Sequence, residues 1–199
     1  MLKRLVVFAA LAVGSATFAH ATPIIGFLSS NGTDSFTSST ITFSNASVQG
    51  AIGGTFATYL TAGNPIIFLS GPLPYMTGSN TAPPGLPPLF TTTENGETFS
   101  FNIVSYNANF VTDGSLGCTN GGTCLLVTGL GSFTGTGVVT YDPSPATFLF
   151  TSQYAPGQPV GGLTTFSASA SAVPEPASLA LFGTGLLGVV GFARRRFNA

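Results

Sequence analysis

Stretches in which apolar and polar residues alternate recur along the middle of the chain. The clearest is TFSFNIVSYNANFV, where Phe99, Phe101 and Ile103 share one face before the apolar set shifts to Val104 and Tyr106. Alternation with a period of two predicts a β-strand with one buried face. The one-residue shift predicts either a β-bulge or a strand that crosses from one sheet to another.

Other apolar stretches are separated by turn sequences. Predicted strands occupy residues 35–43, 53–60 and 65–70, and others follow in CLLVTGL, GVVTYD, ATFLFTSQY and LTTFSASASAV. Turn sequences such as NGT, ENGE, TDGS and DPSP lie between them. Many short strands with Gly and Pro turns predict an all-β domain at residues 22–172, an antiparallel β-sandwich of jelly-roll type. A β-solenoid is the alternative, but no fixed repeat period supports it.

A proline-rich segment, residues 71–93, interrupts the alternation with the sequence GPLPYMTGSNTAPPGLPPLFTTT. Proline cannot donate a backbone hydrogen bond to a central strand, so we predict a long surface loop of extended, polyproline character. We favour an insertion that folds back over a sheet edge. A binding role for this loop is the alternative.

The first residues have the pattern of an export signal. Lys3 and Arg4 precede the apolar run LVVFAALAVGSATF, and Ala19 and Ala21 form the small-residue pattern of a signal peptidase site. We predict a signal peptide at residues 1–21 that is cleaved after Ala21, with cleavage after Ala19 as the alternative. An uncleaved anchor is less favoured because the apolar run is short for a membrane span.

The last part of the chain has the pattern of a membrane anchor. Residues 177–193 contain no charged side chain, and Arg194, Arg195 and Arg196 follow directly. At ~1.5 Å per residue this run forms a helix of about 25 Å, slightly shorter than the hydrocarbon core of a bilayer. We predict a transmembrane helix at 177–193, with the three arginines stopping transfer on the cytoplasmic side. The middle of the chain would then lie outside the cytoplasm.

Charge restricts the possible functions most strongly. Only 6% of the residues are charged, and residues 22–172 contain no Lys, Arg or His. Nucleic acids and anionic lipid surfaces are bound through cationic side chains. The domain is therefore predicted to bind no nucleic acid, and contact with the membrane is expected through the helix at 177–193.

The two cysteines, Cys118 and Cys124, flank an Asn-Gly-Gly turn sequence. In an exported protein this arrangement predicts a disulfide that closes a hairpin tip. A metal site is the alternative, but zinc takes about four ligands and no histidine remains after signal cleavage.

Candidate chemistry in the domain is limited to carboxylates. A Ser or Cys nucleophile needs a base such as His or Lys, and the domain has neither. Glu94 and Glu97, with Asp113 or Asp142, leave a glycan hydrolase as a minor alternative. Asp34 and Asp113 lie in predicted oxygen-rich loops, which keeps calcium binding open without a complete ligand set. We predict no catalytic residue, no metal site and no cofactor.

Val173, Pro174, Glu175 and Pro176 precede a glycine-containing apolar run, and the arginine cluster follows that run. These three features in order resemble the PEP-CTERM sorting signal of exported proteins from Gram-negative bacteria that make extracellular polysaccharide. The resemblance covers residues 173–199. It implies recognition by a membrane exosortase, with processing near the PEP motif. It also implies a precursor anchored in the inner membrane and a mature form at the cell surface or outside the cell.

These features together predict a non-enzymatic cell-surface or matrix protein, processed by signal peptidase and an exosortase. Extracellular polysaccharide is its expected neighbour. A carbohydrate-binding module is the alternative, since aromatic side chains can serve as platforms for sugars. Tyr59, Tyr106, Tyr141 and Tyr154 lie in strand-like runs, where they are either core or rim residues.

Overall fold

The computed structural model describes residues 22–111, 122–154 and 157–172. Most of this part of the chain is in β-strands, with one short helix, which confirms the all-β prediction. The elements are β1 (Thr22–Pro23), β2 (Gly26–Phe36), β3 (Thr40–Gly54), α1 (Thr55–Tyr59), β4 (Pro65–Phe68), β5 (Leu73–Pro74), β6 (Gly78–Thr81), β7 (Phe90–Glu94), β8 (Glu97–Val111), β9 (Thr123–Thr136), β10 (Tyr141–Asp142), β11 (Ser144–Tyr154) and β12 (Thr164–Ala172).

Eight of the strands are paired in a ring. The order β2–β12–β11–β9–β8–β7–β4–β3 returns to β2 through pairing with β3, and every pair in the ring is antiparallel. The sheet therefore closes on itself. The predicted sandwich of jelly-roll type is not confirmed, because the pairings join these strands into one closed sheet instead of two sheets packed face to face.

Phenylalanine side chains fill the inside of the closed sheet. Phe101 and Phe133 meet edge to face with ring centroids 5.2 Å apart, and Phe43 stacks on Phe68 at 4.3 Å. Aromatic pairs at such separations add about 0.5–1.5 kcal/mol beyond the burial of their area. A closed sheet of eight strands is just wide enough for side chains to fill it. The strand alternation that predicted a buried face thus supplies an aromatic core.

The phase shift in β8 is a β-bulge. Pairing of β8 with β9 shifts between Ile103 and Ser105, and Val104 is turned out to solvent. Both halves of β8 stay in the same sheet, so the bulge alternative is confirmed over the crossing. Before the bulge β8 pairs with β7, and after it β8 pairs with β6.

The predicted strand at residues 35–43 contains the turn between β2 and β3. The hydroxyl oxygen of Thr37 accepts hydrogen bonds from the backbone N–H groups of Ser39 (3.2 Å) and Thr40 (3.1 Å). This side chain closes the turn without Gly, Pro or Asn, the residues that commonly mark turns in a sequence.

The predicted strand at 53–60 is also wrong, because β3 ends at Gly54 and the helix α1 follows. Phe56 and Leu60 are both buried and lie four residues apart. That spacing puts the two side chains on one side of a helical turn. The stretch is too short for its helical period to stand out in the sequence.

The predicted turn sequence NGT lies inside β2 instead of between strands. The register of β2 with β3 shifts between Gly32 and Asp34, so the glycine marks a bulge. A Cβ on Gly32 would overlap the carbonyl oxygen of Asn45 on β3. Glycine is therefore required here for close approach of two strands.

The proline-rich segment 71–93 is more ordered than a polyproline loop. It contributes β5, β6 and most of β7, and Pro74 lies in β5, which pairs with β3 through only two residues. The Tyr106 hydroxyl donates to the carbonyl oxygen of Pro74. The segment thus pairs with β3 and β8 through short strands instead of lying as a free surface loop.

One end of the closed sheet holds both ends of the domain. Ala172 pairs with Gly26, and Gly26 pairs with Gly54; we call this end the exit end, after the chain that leaves it at Ala172. Helix α1 covers it, with the ring of Phe56 4.7 Å from that of Phe133. β1 and β10 pair in parallel beside it as a separate two-stranded sheet.

Candidate functional site

The two glutamates proposed for carboxylate chemistry face each other across the β7–β8 hairpin. Glu94 and Glu97 are register partners, and Asn95 and Gly96 form the turn with φ of 50° and 77°, as expected for a tight hairpin. Both oxygens of Glu94 accept from Thr61, from its backbone N–H and its hydroxyl, each at 2.6 Å. Glu94 therefore anchors the segment after α1 to the hairpin.

Glu97 is fully buried at the exit end. Its Oε2 accepts from the backbone N–H of Val139 at 3.0 Å, and its Oε1 has no hydrogen-bond partner among the described residues. Nearby, the hydroxyls of Tyr141 and Tyr59 lie 3.4 Å apart. Burial, then Tyr59 and the charge of Glu97, raise the pKa of Tyr141 to about 12. Two tyrosine hydroxyls thus lie beside a buried acid.

Asp34 is the second fully buried acid, and it lies in β2 instead of the loop expected from its sequence. Its Oδ1 accepts from the hydroxyl of Ser152 at 2.8 Å, whereas Oδ2 has no partner among the described residues. Burial raises its pKa from 3.8 to about 6, against a smaller lowering by Ser152. Burying a charged carboxylate without a cationic partner costs free energy, and protonation of the carboxylate removes that cost.

The other predicted acids do not join these two. Asp142 lies in β10, where it is the register partner of Pro23, and Asp113 falls outside the described residues. Within the part of the chain that the structure describes, no three His, Cys, Asp or Glu side chains come together as they would around a metal ion.

The tyrosines considered as sugar platforms fall into two groups. Tyr106 and Tyr154 are buried in the core, and the Tyr154 hydroxyl is tied to β2 by accepting from the Phe36 N–H at 2.9 Å. Tyr59 and Tyr141 lie at the rim of the exit end and are partly exposed. None of the four presents an open ring face on the outer wall of the sheet.

The outer wall instead carries a shallow groove of about 550 Å³ beside β6. Its floor is two adjacent register rows across β8, β9, β11 and β12, and it has no acidic or basic side chain. The first row is Asn107, Thr128, Leu149 and Ser169, and the second is Ser105, Leu130, Thr147 and Ser171. Hydroxyls, the amides of Asn80 and Asn107 and two leucines give the groove an uncharged, mixed surface.

This groove was not identified from the sequence. The floor residues are ordinary outward-facing positions of their strands, and the two rows exist only because four strands align in this register. The alternating Ser and Ala of β12 was the one local signal, since it predicts a hydroxyl row on one face.

Several predicted sites lie outside the described residues. These are the signal cleavage residues Ala19 and Ala21, the sorting residues Val173, Pro174, Glu175 and Pro176, the predicted helix 177–193 and the arginines Arg194, Arg195 and Arg196. They stay predictions. Across residues 22–111, 122–154 and 157–172, no helix is long and apolar enough to cross a membrane.

Only one of the two cysteines of the predicted disulfide lies among the described residues. Cys124 is disulfide-bonded, and it begins the described part of β9 together with Thr123. Cys118 falls outside the described residues, so its pairing with Cys124 stays a prediction.

The described fold ends where the sorting motif begins. Ala172 is buried and is paired on both sides, with Gly26 of β2 and Ala146 of β11. The family model of the PEP-CTERM protein-sorting motif matches residues 172–196. Neither a curated protein nor a solved structure matches the chain. The match indicates exosortase-dependent sorting of an exported protein, because the chain carries a PEP-CTERM protein-sorting motif at residues 172–196.

Proposed function

We propose that the chain is a non-enzymatic cell-surface or matrix protein whose closed sheet is delivered by its sorting motif. The observation that carries the proposal is the motif match at residues 172–196, which begins on the last residue of a closed, cation-free domain. The motif accounts for delivery. The function outside the cell is then carried by the domain at residues 22–172.

A structural role is supported by how the acids are used. Glu94 is held by two hydrogen bonds to Thr61, and Asp34 and Glu97 are fully buried. General acid–base catalysis requires a group within hydrogen-bond reach of the substrate. Glu94 is engaged by Thr61, and Asp34 and Glu97 are buried out of reach of a substrate, which favours a non-enzymatic role.

Mass spectrometry of the protein from its own cells tests the delivery part. We expect a mature form that lacks residues 1–21 and has lost the chain beyond the PEP motif. Replacing Glu175 with alanine should leave the longer form, whereas Asp142→Asn should be processed normally. An identical mature mass for the Glu175 variant would refute processing at this motif.

A screen for glycan hydrolysis tests the non-enzymatic part. Turnover that is lost in Glu94→Gln or Asp142→Asn, with folding intact by circular dichroism, would assign the protein to the hydrolases instead.

The groove supports a second candidate function, the binding of a neutral polysaccharide. Hydroxyl and amide groups recognise sugar hydroxyls, and the leucines can cover the apolar faces of sugar rings. Equilibrium binding to neutral oligosaccharides from the host matrix tests this. Thr128→Val and Thr147→Val remove hydroxyls from the groove at nearly constant shape, and Thr91→Val on β7 is the control. Saturable binding weakened only by the groove variants would support the candidate, and equal weakening by all three would contradict it.

A further inference from the structure

A membrane-spanning helix at residues 177–193 would hold the exit end close to the bilayer through a very short connection. Ala172 is the last paired residue of β12, and only residues 173–176 separate it from the predicted helix at 177–193. Ala172 and Ala177 are five residues apart in the sequence, and a fully extended chain of that length spans at most about 18 Å. While the precursor is anchored, the exit end therefore stays within about 18 Å of the point where the chain enters the membrane.

Two apolar side chains stand at this end, next to the departing chain. Phe27 is the register partner of Ser171 and is 46% exposed, and Ile25 is 48% exposed. The ring of Phe27 lies against Gly53 of β3, where a Cβ would overlap it. Phe27 is thus fixed on the outer wall beside Ala172.

The charges at this end favour a neutral partner. The described domain has no cationic side chain to attract anionic headgroups, and Glu94, Glu97 and Asp142 all lie near the exit end. Apolar side chains at a membrane interface instead insert between headgroups and acyl chains. A tether this short also keeps the effective concentration high, so that a contact of low intrinsic affinity is populated.

We propose that in the anchored precursor the exit end rests on the outer surface of the bilayer, with Ile25 and Phe27 inserted among zwitterionic phospholipids. The inference rests on the proposed function, because it takes residues 177–193 to be a membrane-spanning helix.

Tryptophan fluorescence of the full chain in proteoliposomes tests the proposal, since the chain contains no tryptophan. Three single variants serve as reporters. Phe27→Trp reports the exit end, Leu186→Trp reports the predicted helix, and Met76→Trp reports the segment between β5 and β6, where Met76 is 72% exposed. Each is reconstituted in phosphatidylcholine vesicles with brominated acyl chains.

We expect quenching of Phe27→Trp and Leu186→Trp, with Met76→Trp unquenched. Quenching of Leu186→Trp alone would overturn the docking and leave the membrane anchor intact. It would then favour a protein, such as the processing enzyme, as the partner of the exit end. Quenching of none of the three would overturn the docking together with the anchor. Equal quenching at residues 27 and 76 would also overturn it, because the contact would not be specific to the exit end.

Two further variables separate docking from simple proximity. A flexible Gly-Ser spacer inserted after Ala172 should reduce the quenching of Phe27→Trp several-fold and leave that of Leu186→Trp unchanged. Replacing half of the phosphatidylcholine with phosphatidylglycerol should weaken the quenching of Phe27→Trp. Stronger quenching on anionic vesicles would contradict a contact made by apolar side chains.

Discussion

Replacing Asp34 with asparagine should stabilise the domain at neutral pH. Asp34 is fully buried, its Oδ2 has no partner among the described residues, and no Lys, Arg or His lies in residues 22–172 to compensate its charge. Asparagine keeps the shape and an oxygen that accepts from Ser152. It also removes the charge, which is the unfavourable part of the buried group.

The magnitude follows from the pKa of the carboxyl group. Its pKa rises from 3.8 to about 6 on folding because burial disfavours the charged form. A tenfold change in an acid dissociation constant corresponds to about 1.4 kcal/mol, so the ionised group costs the folded state about 3 kcal/mol at neutral pH. Below about pH 3 the group is protonated in both states and the cost is absent. The cost grows as the pH rises through the window from about 4 to 6.

Urea denaturation of residues 22–172 at several pH values between 4 and 7 measures this effect. The free energy of unfolding of Asp34→Asn minus that of the unaltered protein should rise across the window by about 3 kcal/mol at most and level off above it. Glu94→Gln is the matched control, because it removes a charge that is hydrogen-bonded and partly exposed. A difference that does not change with pH, or a variant that is less stable at pH 7, would refute the reasoning.

Three further predictions test the core, a close approach and the topology. Phe101→Ala should lower the free energy of unfolding by about 3–5 kcal/mol, since it opens a cavity in the aromatic core, whereas Ile67→Ala on the outer wall should change it by about 0.5 kcal/mol or less. Gly32→Ala should destabilise the domain by more than ~1 kcal/mol because its Cβ overlaps Asn45, and urea midpoints compare it with the neighbouring Thr33→Ala. Neutral residues in place of Arg194–Arg196 should alter membrane retention in cell fractionation, and unchanged retention would contradict the predicted topology.

The strand content could be predicted because alternation is a local property. In β8 the switch at Ile103 and Val104 is visible in the sequence and gives the bulge directly. The turn at Thr37 could not be predicted in the same way, since a threonine hydroxyl closes it and threonine also favours strands. Helix α1 is a single short segment held by the burial of Phe56, and that burial depends on strands far away in the chain.

Closure of the sheet could not be predicted from the sequence, because the strands of a sandwich and of a closed sheet show the same alternation of apolar and polar residues. Which strands are neighbours decides between them. The β3–β4 contact that helps to close the ring consists of only two register pairs, Ala46↔Ile66 and Ser47↔Pro65, too few to leave a pattern. The burial of Asp34 and the groove around Thr128 have the same origin, because both arise where residues distant in sequence come into register.

Folding and sorting meet at Ala172, and this limits where the chain can be cut. The first residue of the matched motif is the last residue of β12, buried and paired with both Gly26 and Ala146. An enzyme that binds its substrate as an extended chain cannot take up residues that are hydrogen-bonded on both edges. Cleavage within β12 would also require the closed sheet to open, because this strand joins β2 to β11. We therefore expect every mature C-terminus to lie at or beyond Ala172, and a product that ends between Thr164 and Ser171 would show that processing precedes folding.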